Sequence, residues 1–223
     1  MTIGNDRTKR RLIAAASELF AEHGFHGTTV RDIAARAGVN LASGHYHYGS
    51  KKELYLAVLR AQFAAIRSHL VQRGVARPTR ELQRLSRRRA AALLRARAQA
   101  MLDLLIGPPP GLHATLMHRE MVDPTEALPV IVDEFIVPMV QEMREIVLRL
   151  APGLPARAVE RSVFSIMGQV LFYRFTMPAT LRLWNLPAYP RGLAAQLAAH
   201  VGEFSVGGLD RLLRRRGRTR RGR

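Results

Sequence analysis

The sequence predicts an all-α protein with an amino-terminal three-helix domain and a carboxy-terminal helical domain. Apolar residues recur at three- and four-residue spacing through nearly the whole chain, which is the period of amphipathic helices. Glycines and prolines interrupt this pattern at intervals that suit helix lengths, and alternating runs of β-branched residues are lacking. At 223 residues the chain is long enough to bury an ample core.

Composition excludes several classes of protein and site. The chain has no cysteine, so disulfides, thiolate zinc sites and cysteine nucleophiles are excluded. No apolar run approaches the roughly 18–20 residues that cross a bilayer, and the first eleven residues are polar. We therefore expect a cytoplasmic protein with no membrane partner, and we expect neither a cofactor nor a metal site.

The first two helices carry clear boundary residues. The first is predicted from Asp6 to His23, where Gly24 ends it, with an apolar stripe that includes Leu12 and Phe20. Thr29 has the side chain of an N-cap, and Asp32 three residues later completes a capping box for the second helix. Gly38 ends that helix, because glycine enters the left-handed region without a steric penalty.

A second short helix is predicted from Leu41 through His47, before Gly49. A helix, a short turn with glycine and a second helix form the pattern that places a recognition helix in the major groove of DNA. The sequence therefore predicts a helix-turn-helix over about residues 29–48.

The rest of the chain is predicted to be helical between marked breaks. Ser50 and Glu53 make a capping box for the helix at 51–72, and Asp123 with Pro124 is the predicted cap of the helix that reaches Leu150. The segment 177–189 contains Pro178 and Pro187, is followed by Pro190, and is predicted to be irregular. The helices predicted after residue 50 are 51–72, 79–106, 111–122, 123–150, 156–175 and 191–213.

The amino-terminal region resembles the TetR family of transcriptional regulators, and the later region resembles its CecR (CerR-type) subgroup. The TetR resemblance rests on Ile13–Ala16, Leu19, Phe20, Gly24, Phe25, Thr28–Ala34, Ala37–Val39 and Tyr46–Lys51. The CecR resemblance rests on Arg119–Met121, Asp123–Thr125, Ala127, Leu128, Gly168–Tyr173 and Pro178.

The resemblance implies a domain plan and a function. A DNA-binding domain would span 6–66 and a helical ligand-binding and dimerisation domain 67–213, with an arginine-rich tail at 214–223 that we expect to be disordered. A homodimer would bind a palindromic operator, and a small apolar or amphipathic effector would release it, which makes the protein a ligand-responsive repressor. The dimer interface is expected on the helix 156–175 and on the last helix around Leu193, Leu197 and Val201.

The predicted DNA contacts fall into two groups. The start of the recognition helix would point Asn40, Leu41, Ala42 and Ser43 into the groove, and Arg31 would reach either a guanine or a phosphate. By resemblance, the phosphate contacts belong to Thr29, His45, Tyr46, His47 and Lys51. Tyr46 has the alternative of packing between the first and fourth helices.

An effector pocket is predicted in the carboxy-terminal half. Its candidate residues combine mobile methionines and aromatic rings with a few polar groups, and the same residues also suit an ordinary helical core. They are Met101, Leu105, Met117, His118, Met121, Phe135, Met139, Phe164, Met167, Gln169, Phe172 and Tyr173.

Two other functions remain open, and one is not expected. The net charge of +18 and the arginine-rich end also fit a charge-driven, non-specific nucleic-acid binder, and a regulator that needs no ligand is the other alternative. The basic stretch 77–97 is interpreted as the solvated face of a helix. An enzyme is not expected, because His113 and His118 lie five residues apart and no nucleophile motif or phosphate loop is present.

Overall fold

The computed structural model describes the backbone of residues 3–40, 48–107 and 112–221, and the side chains of 6–40, 48–107 and 112–215. Within these ranges the chain forms α-helices and one π-helical turn and has no strand, which confirms the predicted fold class. The helices are α1 Ile3–His23, α2 Val30–Ala37, α3 Lys51–Gln72, α4 Thr79–Gln83, α5 Arg87–Ile106, α6 Leu112–Val122, α7 Leu128–Ile131, the π-turn Val132–Ile136, α8 Val137–Leu150, α9 Ala156–Phe175, α10 Met177–Trp184 and α11 Leu193–Arg221.

Residue packing divides the chain into two compact units. Unit one contains Met1–Ile66 and Gly111–Phe135, and unit two contains Arg67–Pro110 and Ile136–Arg223. Packing groups residues 111–135 with the amino-terminal helices, and the predicted domain boundary after residue 66 stays a prediction. None of the described helices is long and apolar enough to cross a membrane.

Unit one is built around α1, which packs against both α2 and α6. Leu12 and Phe20 of α1, Ile33 of α2 and Leu54 of α3 are almost completely buried. The Phe20 and Tyr55 rings meet edge to face with centroids 4.8 Å apart, a favourable arrangement for aromatic quadrupoles. These contacts place α2 on a rigid base.

The capping box of α2 is present, as predicted. The Asp32 N–H donates to the Thr29 hydroxyl at 3.2 Å, and the Thr29 N–H donates to the Asp32 carboxylate at 3.1 Å. Gly38 ends the helix at φ 61°, and Arg11 donates to its carbonyl at 3.1 Å. A side chain at Gly38 would be strained by the backbone and would meet the Arg11 guanidinium.

Unit two has α5 at its centre, in contact with α8, α9 and α11. Helix α4 packs on α8, and α9 contacts both α10 and α11. Leu94 and Leu102 of α5 and Ile146 and Leu150 of α8 are fully buried. The bounds of α3 and α9 agree with the predicted ranges.

The prediction of one continuous helix at 79–106 is wrong in one respect. The first helix ends at Gln83, and a second helix begins at Arg87. The Ser86 hydroxyl accepts the Arg89 N–H at 3.3 Å and therefore acts as the N-cap of α5. Proline and glycine are absent from this break, so a pattern of breakers alone did not reveal it.

The continuous helix predicted from Asp123 to Leu150 is also wrong. Helical structure begins only at Leu128, where the Thr125 hydroxyl accepts the Ala127 N–H at 3.1 Å. The π-turn Val132–Ile136 follows, and Pro138 lies in the first turn of α8. Proline has no N–H for the bond to residue 134, so the hydrogen-bond register changes where that bond would have formed.

The segment at 177–189 contains the helix α10, where irregular structure was predicted. Pro178 occupies the first turn of α10, a position where its missing N–H costs nothing, and Asn185 ends the helix at φ 53°. Helix α11 continues to Arg221 instead of ending at Leu213, since arginine is a good helix former.

Candidate nucleic-acid interface and effector cavity

The predicted DNA contacts divide into residues that the structure describes and residues that lie outside its described ranges. Thr29, Arg31, Asn40 and Lys51 belong to the described residues of unit one. Leu41, Ala42, Ser43, His45, Tyr46 and His47 lie outside the described residues.

The two arginines of α2 differ in their partners. Arg36 is held by Glu18, with Nη1 3.1 Å from the carboxylate, and lies 3.7 Å from the Glu22 carboxylate. Arg31 is exposed and, within the described residues, forms no ion pair and donates no hydrogen bond. Its guanidinium is therefore available to an external anion or base edge.

Lys51 has contacts within unit one. Its Nζ donates to the Thr28 carbonyl at 3.1 Å and lies 4.4 Å from the centroid of the Phe25 ring. A lysine over an aromatic face is stabilised by the ring quadrupole. Lys51 therefore ties the start of α3 to the segment before α2, and its predicted phosphate contact stays a prediction.

Replacing Thr29 by alanine is expected to destabilise unit one by about 1 kcal/mol, because the helix loses its N-cap hydroxyl. Urea unfolding measures this change. Thr79→Ala is the matched control, since Thr79 is exposed at a helix start whose cap makes no side-chain hydrogen bond. An equal loss in both variants would contradict the role of the cap.

The hydrogen bonds between Thr29 and Asp32 also make the stability of unit one depend on pH in the acid range. Hydrogen bonds from the Thr29 hydroxyl and N–H hold the pKa of Asp32 below its ordinary value. A lowered pKa in the folded state means that the stabilisation is complete above the unfolded pKa of 3.8 and is lost as the pH falls through the folded pKa. Thr29→Ala should therefore show a weaker loss of stability below about pH 4.

A buried polar cluster connects α3 with the segment after α6. Glu120 is 1% exposed, and its carboxylate accepts the Tyr55 hydroxyl at 2.8 Å. It also accepts the Thr125 hydroxyl at 2.8 Å and the Thr125 N–H at 3.2 Å. Both carboxylate oxygens of Glu120 therefore accept hydrogen bonds within unit one.

Arg119 fixes the end of α1. Its Nε donates to the Ala21 carbonyl at 2.9 Å and its Nη2 to the Glu22 carbonyl at 2.8 Å. These carbonyls belong to the last turn of α1 and have no partner within the helix. Arg119 and Glu120 together therefore join α6 to the helices that carry α2.

A cavity of about 40 Å³ lies among α5, α8 and α9 of unit two. Three predicted effector residues, Met101, Met139 and Met167, line it. The full lining is Leu94, Arg97, Ala98, Met101, Met139, Met143, Ile166, Met167, Val170 and Leu171.

The other predicted effector residues do not line this cavity. In unit two, Leu105 is buried in the core, Phe164 is exposed, and Gln169, Phe172 and Tyr173 line an outer groove on α9 and α11. In unit one, Met117 is half-buried, His118 and Met121 are exposed, and Phe135 stacks on Phe63 at 4.2 Å. The structure thus gathers only the three methionines at the cavity.

Arg97 is the residue of this cavity that sequence reasoning missed. The basic stretch 77–97 was interpreted as a solvated face, and this is wrong for Arg97, whose side chain is 4% exposed. Arg97 Nη1 lies 2.6 Å from the Glu142 carboxylate of α8. Arg97 shares the helical face of Leu94 and Met101, and that spacing was the available indication.

An exposed apolar face covers parts of α9 and α11. Phe164 is 61% and Phe204 66% exposed, and Gly208, one turn after Phe204 on α11, has open space where a side chain would be. Leu197 and Val201 were predicted for a dimer interface, but both are buried within unit two. Among the residues whose side chains are described, no three histidine or acidic side chains form a group that could hold a metal ion.

Two family models match the chain. The model described as bacterial regulatory proteins, tetR family, matches residues 12–58. The model described as HTH-type transcriptional dual regulator CecR, C-terminal domain, matches residues 90–209, which is more than half of the chain.

Similar proteins agree with these matches. The HTH-type transcriptional dual regulator CecR of Shigella flexneri is 53% identical over 57 residues, which cover 26% of this chain and 25% of that protein. The chain thus matches only about a quarter of the length of this curated relative.

Solved structures with the same fold cover most of the chain. FadR from Bacillus subtilis in complex with stearoyl-CoA has a TM-score of 0.65 at 18% identity, covering 89% of this chain and 98% of that one. AibR in complex with isovaleryl coenzyme A and operator DNA has a TM-score of 0.61 at 16% identity, covering 90% and 96%.

Proposed function

The chain belongs to the TetR family of bacterial regulatory proteins, with a CecR-type C-terminal domain, and on that premise we propose that it is a ligand-responsive, sequence-specific DNA-binding transcriptional regulator. The observation that carries the proposal is the capped helix α2 with its Gly38 turn, directly before the predicted recognition helix. A rigid α2 crosses the DNA backbone while the next helix enters the major groove.

Arg31 supports this proposal because, unlike Arg36, it is not held in an ion pair. Arg36 is paired with Glu18 and Glu22, whereas Arg31 forms no ion pair among the described residues and has only a through-space attraction to the Asp32 carboxylate. A side chain kept free of internal partners keeps its donors for phosphate or guanine.

A homodimer on a palindromic operator is part of the proposal. One three-helix module buries little surface on DNA, and a two-fold dimer doubles the contacts with matching half-sites. The exposed phenylalanines of α9 and α11 supply an apolar face of the kind that marks a protein interface. Two helices from each copy would then pack as four.

Effector binding would control operator affinity through unit two. The methionine-lined cavity supplies adaptable apolar walls, which suit an apolar or amphipathic molecule. An effector shifts DNA occupancy only by preferring one conformation of the protein. Release of the operator on effector binding would make the protein a repressor. FadR and AibR, which share this fold, were solved with stearoyl-CoA and isovaleryl coenzyme A, and this supports a regulator that binds a small molecule.

Selection of bound duplexes from a random-sequence pool tests the proposal directly. We expect enrichment of a two-fold symmetric sequence with half-sites about one DNA turn apart. The preference for this sequence over random duplex should persist from about 50 to 200 mM salt, although both affinities fall. A pool without any enriched sequence would instead favour the charge-driven, non-specific binder.

Two arginine variants of α2 sharpen this test. Arg31→Ala is expected to weaken operator binding by roughly tenfold or more, whereas Arg36→Ala should change it little, because Arg36 is already paired. Relaxed preference at one base pair would identify a guanine contact. A uniform loss with a salt slope smaller by about 1 would identify a phosphate contact. Equal affinities of Arg31→Ala and wild type would contradict both assignments.

A further inference from the structure

One of the residues that line the methionine cavity is charged, although the wall itself is almost entirely apolar. Arg97 of α5 lines the cavity together with Met101, Met139, Met143 and other apolar residues. Its side chain is 4% exposed, while that of its partner Glu142 is 16% exposed. Glu142 is not among the residues that line the cavity. A molecule inside the cavity would therefore meet an almost entirely apolar wall, and it would reach the Arg97 guanidinium only by displacing Glu142 from it.

The contact between Arg97 and Glu142 is close but poorly aligned. The atoms Nη1 and Oε2 lie 2.6 Å apart, yet both are buried and neither makes an aligned hydrogen bond. Burial of two charges is costly unless good hydrogen bonds compensate for lost water. Apolar residues of similar volume usually serve a fold as well as such a pair, so stability of the fold gives little reason for it.

We infer that Arg97 is the anion-binding group of the effector cavity and that Glu142 occupies the place of the effector's own anionic head. This inference rests on the proposed function. The effector class it names is an amphipathic anion, with an apolar tail and a carboxylate or phosphate head. The planar guanidinium suits both heads, because each can accept two parallel N–H bonds.

Binding of such a molecule would move α8 relative to α5. A cavity of about 40 Å³ is far smaller than the roughly 300–1,000 Å³ of typical ligand pockets, so the tail must displace side chains. Methionine has three rotatable bonds and adapts at low cost. The head would at the same time separate Glu142 on α8 from Arg97 on α5. Ligand binding and helix displacement are thus coupled within unit two.

Four ten-carbon probes test the inference on the full chain by calorimetry below their micellar concentrations. Decanoate and decyl phosphate distinguish the two possible heads, decanol supplies the tail alone, and decylamine carries the opposite charge. We expect at least one anion to bind roughly tenfold or more tightly than decanol, and decylamine to bind most weakly. Tighter binding of decylamine or decanol than of both anions overturns the inference.

Variants identify the residues responsible. Glu142→Gln removes the internal competitor and should tighten decanoate binding by roughly tenfold, whereas Arg97→Met should bind decanoate and decanol alike. Since loss of one partner can unfold unit two, the double variant Arg97→Met/Glu142→Leu removes both charges and should also bind the two probes alike. Asp103→Asn is the matched control, because it breaks the exposed Arg73–Asp103 pair of the same unit. A preserved preference for decanoate in the double variant overturns the inference.

Operator affinity, measured separately, distinguishes failure of the site from failure of the proposed function. If decanoate binds through Arg97 but leaves operator affinity unchanged, the anion site stands and the ligand-responsive function fails. If a neutral molecule shifts operator affinity while neither anion binds, the function stands and the anion site fails.

Discussion

Replacing Phe164 and Phe204 together by glutamate is expected to convert the proposed homodimer into a monomer. Each ring is more than half exposed on α9 or α11, and burial of one phenylalanine contributes about 1.5–3 kcal/mol. Because the proposed dimer is two-fold symmetric, both subunits lose the burial of their phenylalanines, and four carboxylates are placed in an apolar interface. The dimer Kd should therefore rise by at least about 10⁴-fold.

Operator binding should weaken with the dimer. Linked half-site contacts gain about 10²–10⁴-fold from effective concentration, and a monomer loses that gain. Analytical ultracentrifugation gives the oligomeric state, and fluorescence anisotropy with a symmetric duplex gives the affinity. The half-site affinity should be unchanged, because unit one contains neither substitution.

Val71→Glu is the control for this variant. Val71 is 57% exposed on α3 and lies on neither α9 nor α11, so a glutamate there tests the effect of added charge alone. It should leave the dimer intact. A wild-type protein that is already monomeric at micromolar concentration, or a double variant that remains dimeric, would contradict the proposed interface.

The caps and the end of α2 could be predicted from the sequence, because a particular residue type is preferred at each of these positions. Thr29 and Asp32 cap α2, and Gly38 ends it at positive φ, as predicted. Both need only neighbours within a few residues. The same holds for Ser50, whose hydroxyl accepts the Glu53 N–H at the start of α3.

Helix breaks that depend on more distant packing could not be predicted in this way. Ser86 caps α5 in a stretch of arginines that fits a continuous helix equally well. The prolines at 178 and 187 predict irregular structure, but Pro178 lies in the first turn of α10, because the effect of a proline depends on its position within a helix. The π-turn before Pro138 likewise depends on the order of hydrogen bonds, which hydrophobic periodicity does not reveal.

The candidate sites show the same difference between features that depend on residue type and features that depend on distant packing. Residue type predicted three residues of the cavity, because methionines suit an adaptable apolar wall, although each of the three lies on a different helix. Arg97 was missed because its charge outweighed its position on an apolar face, and its partner Glu142 lies 45 residues later on another helix. Pairing between helices is a long-range property that a single sequence does not encode visibly.

Replacing Glu120 by leucine is expected to destabilise unit one by about 3–5 kcal/mol. Leucine has nearly the same volume but leaves the Tyr55 hydroxyl, the Thr125 hydroxyl and the Thr125 N–H without their acceptor. Buried donors without a partner each cost about 1–3 kcal/mol. Glu120→Gln keeps one oxygen and should cost less than half as much. Glu126→Gln, on an exposed pair with Lys52, should leave Tm unchanged.

A double-mutant cycle with Tyr55→Phe isolates the buried contact. The loss from Glu120→Leu should shrink in the Tyr55→Phe background by about 0.5–3 kcal/mol, because the stranded hydroxyl is then absent. Additive losses, measured by urea unfolding, would show that Tyr55 and Glu120 do not interact energetically.

Alkaline titration tests the same contact independently. Burial first, and then the hydrogen bond to Glu120, raise the pKa of Tyr55 above its ordinary value of 10.0. A raised pKa in the folded state means that the neutral hydroxyl's stabilisation is complete below pH 10 and is lost as the pH rises toward the folded pKa. Wild type should therefore lose stability above about pH 10 more steeply than Tyr55→Phe. Operator affinity should fall in parallel, because Arg119 and Glu120 hold α6 against the helices that position α2.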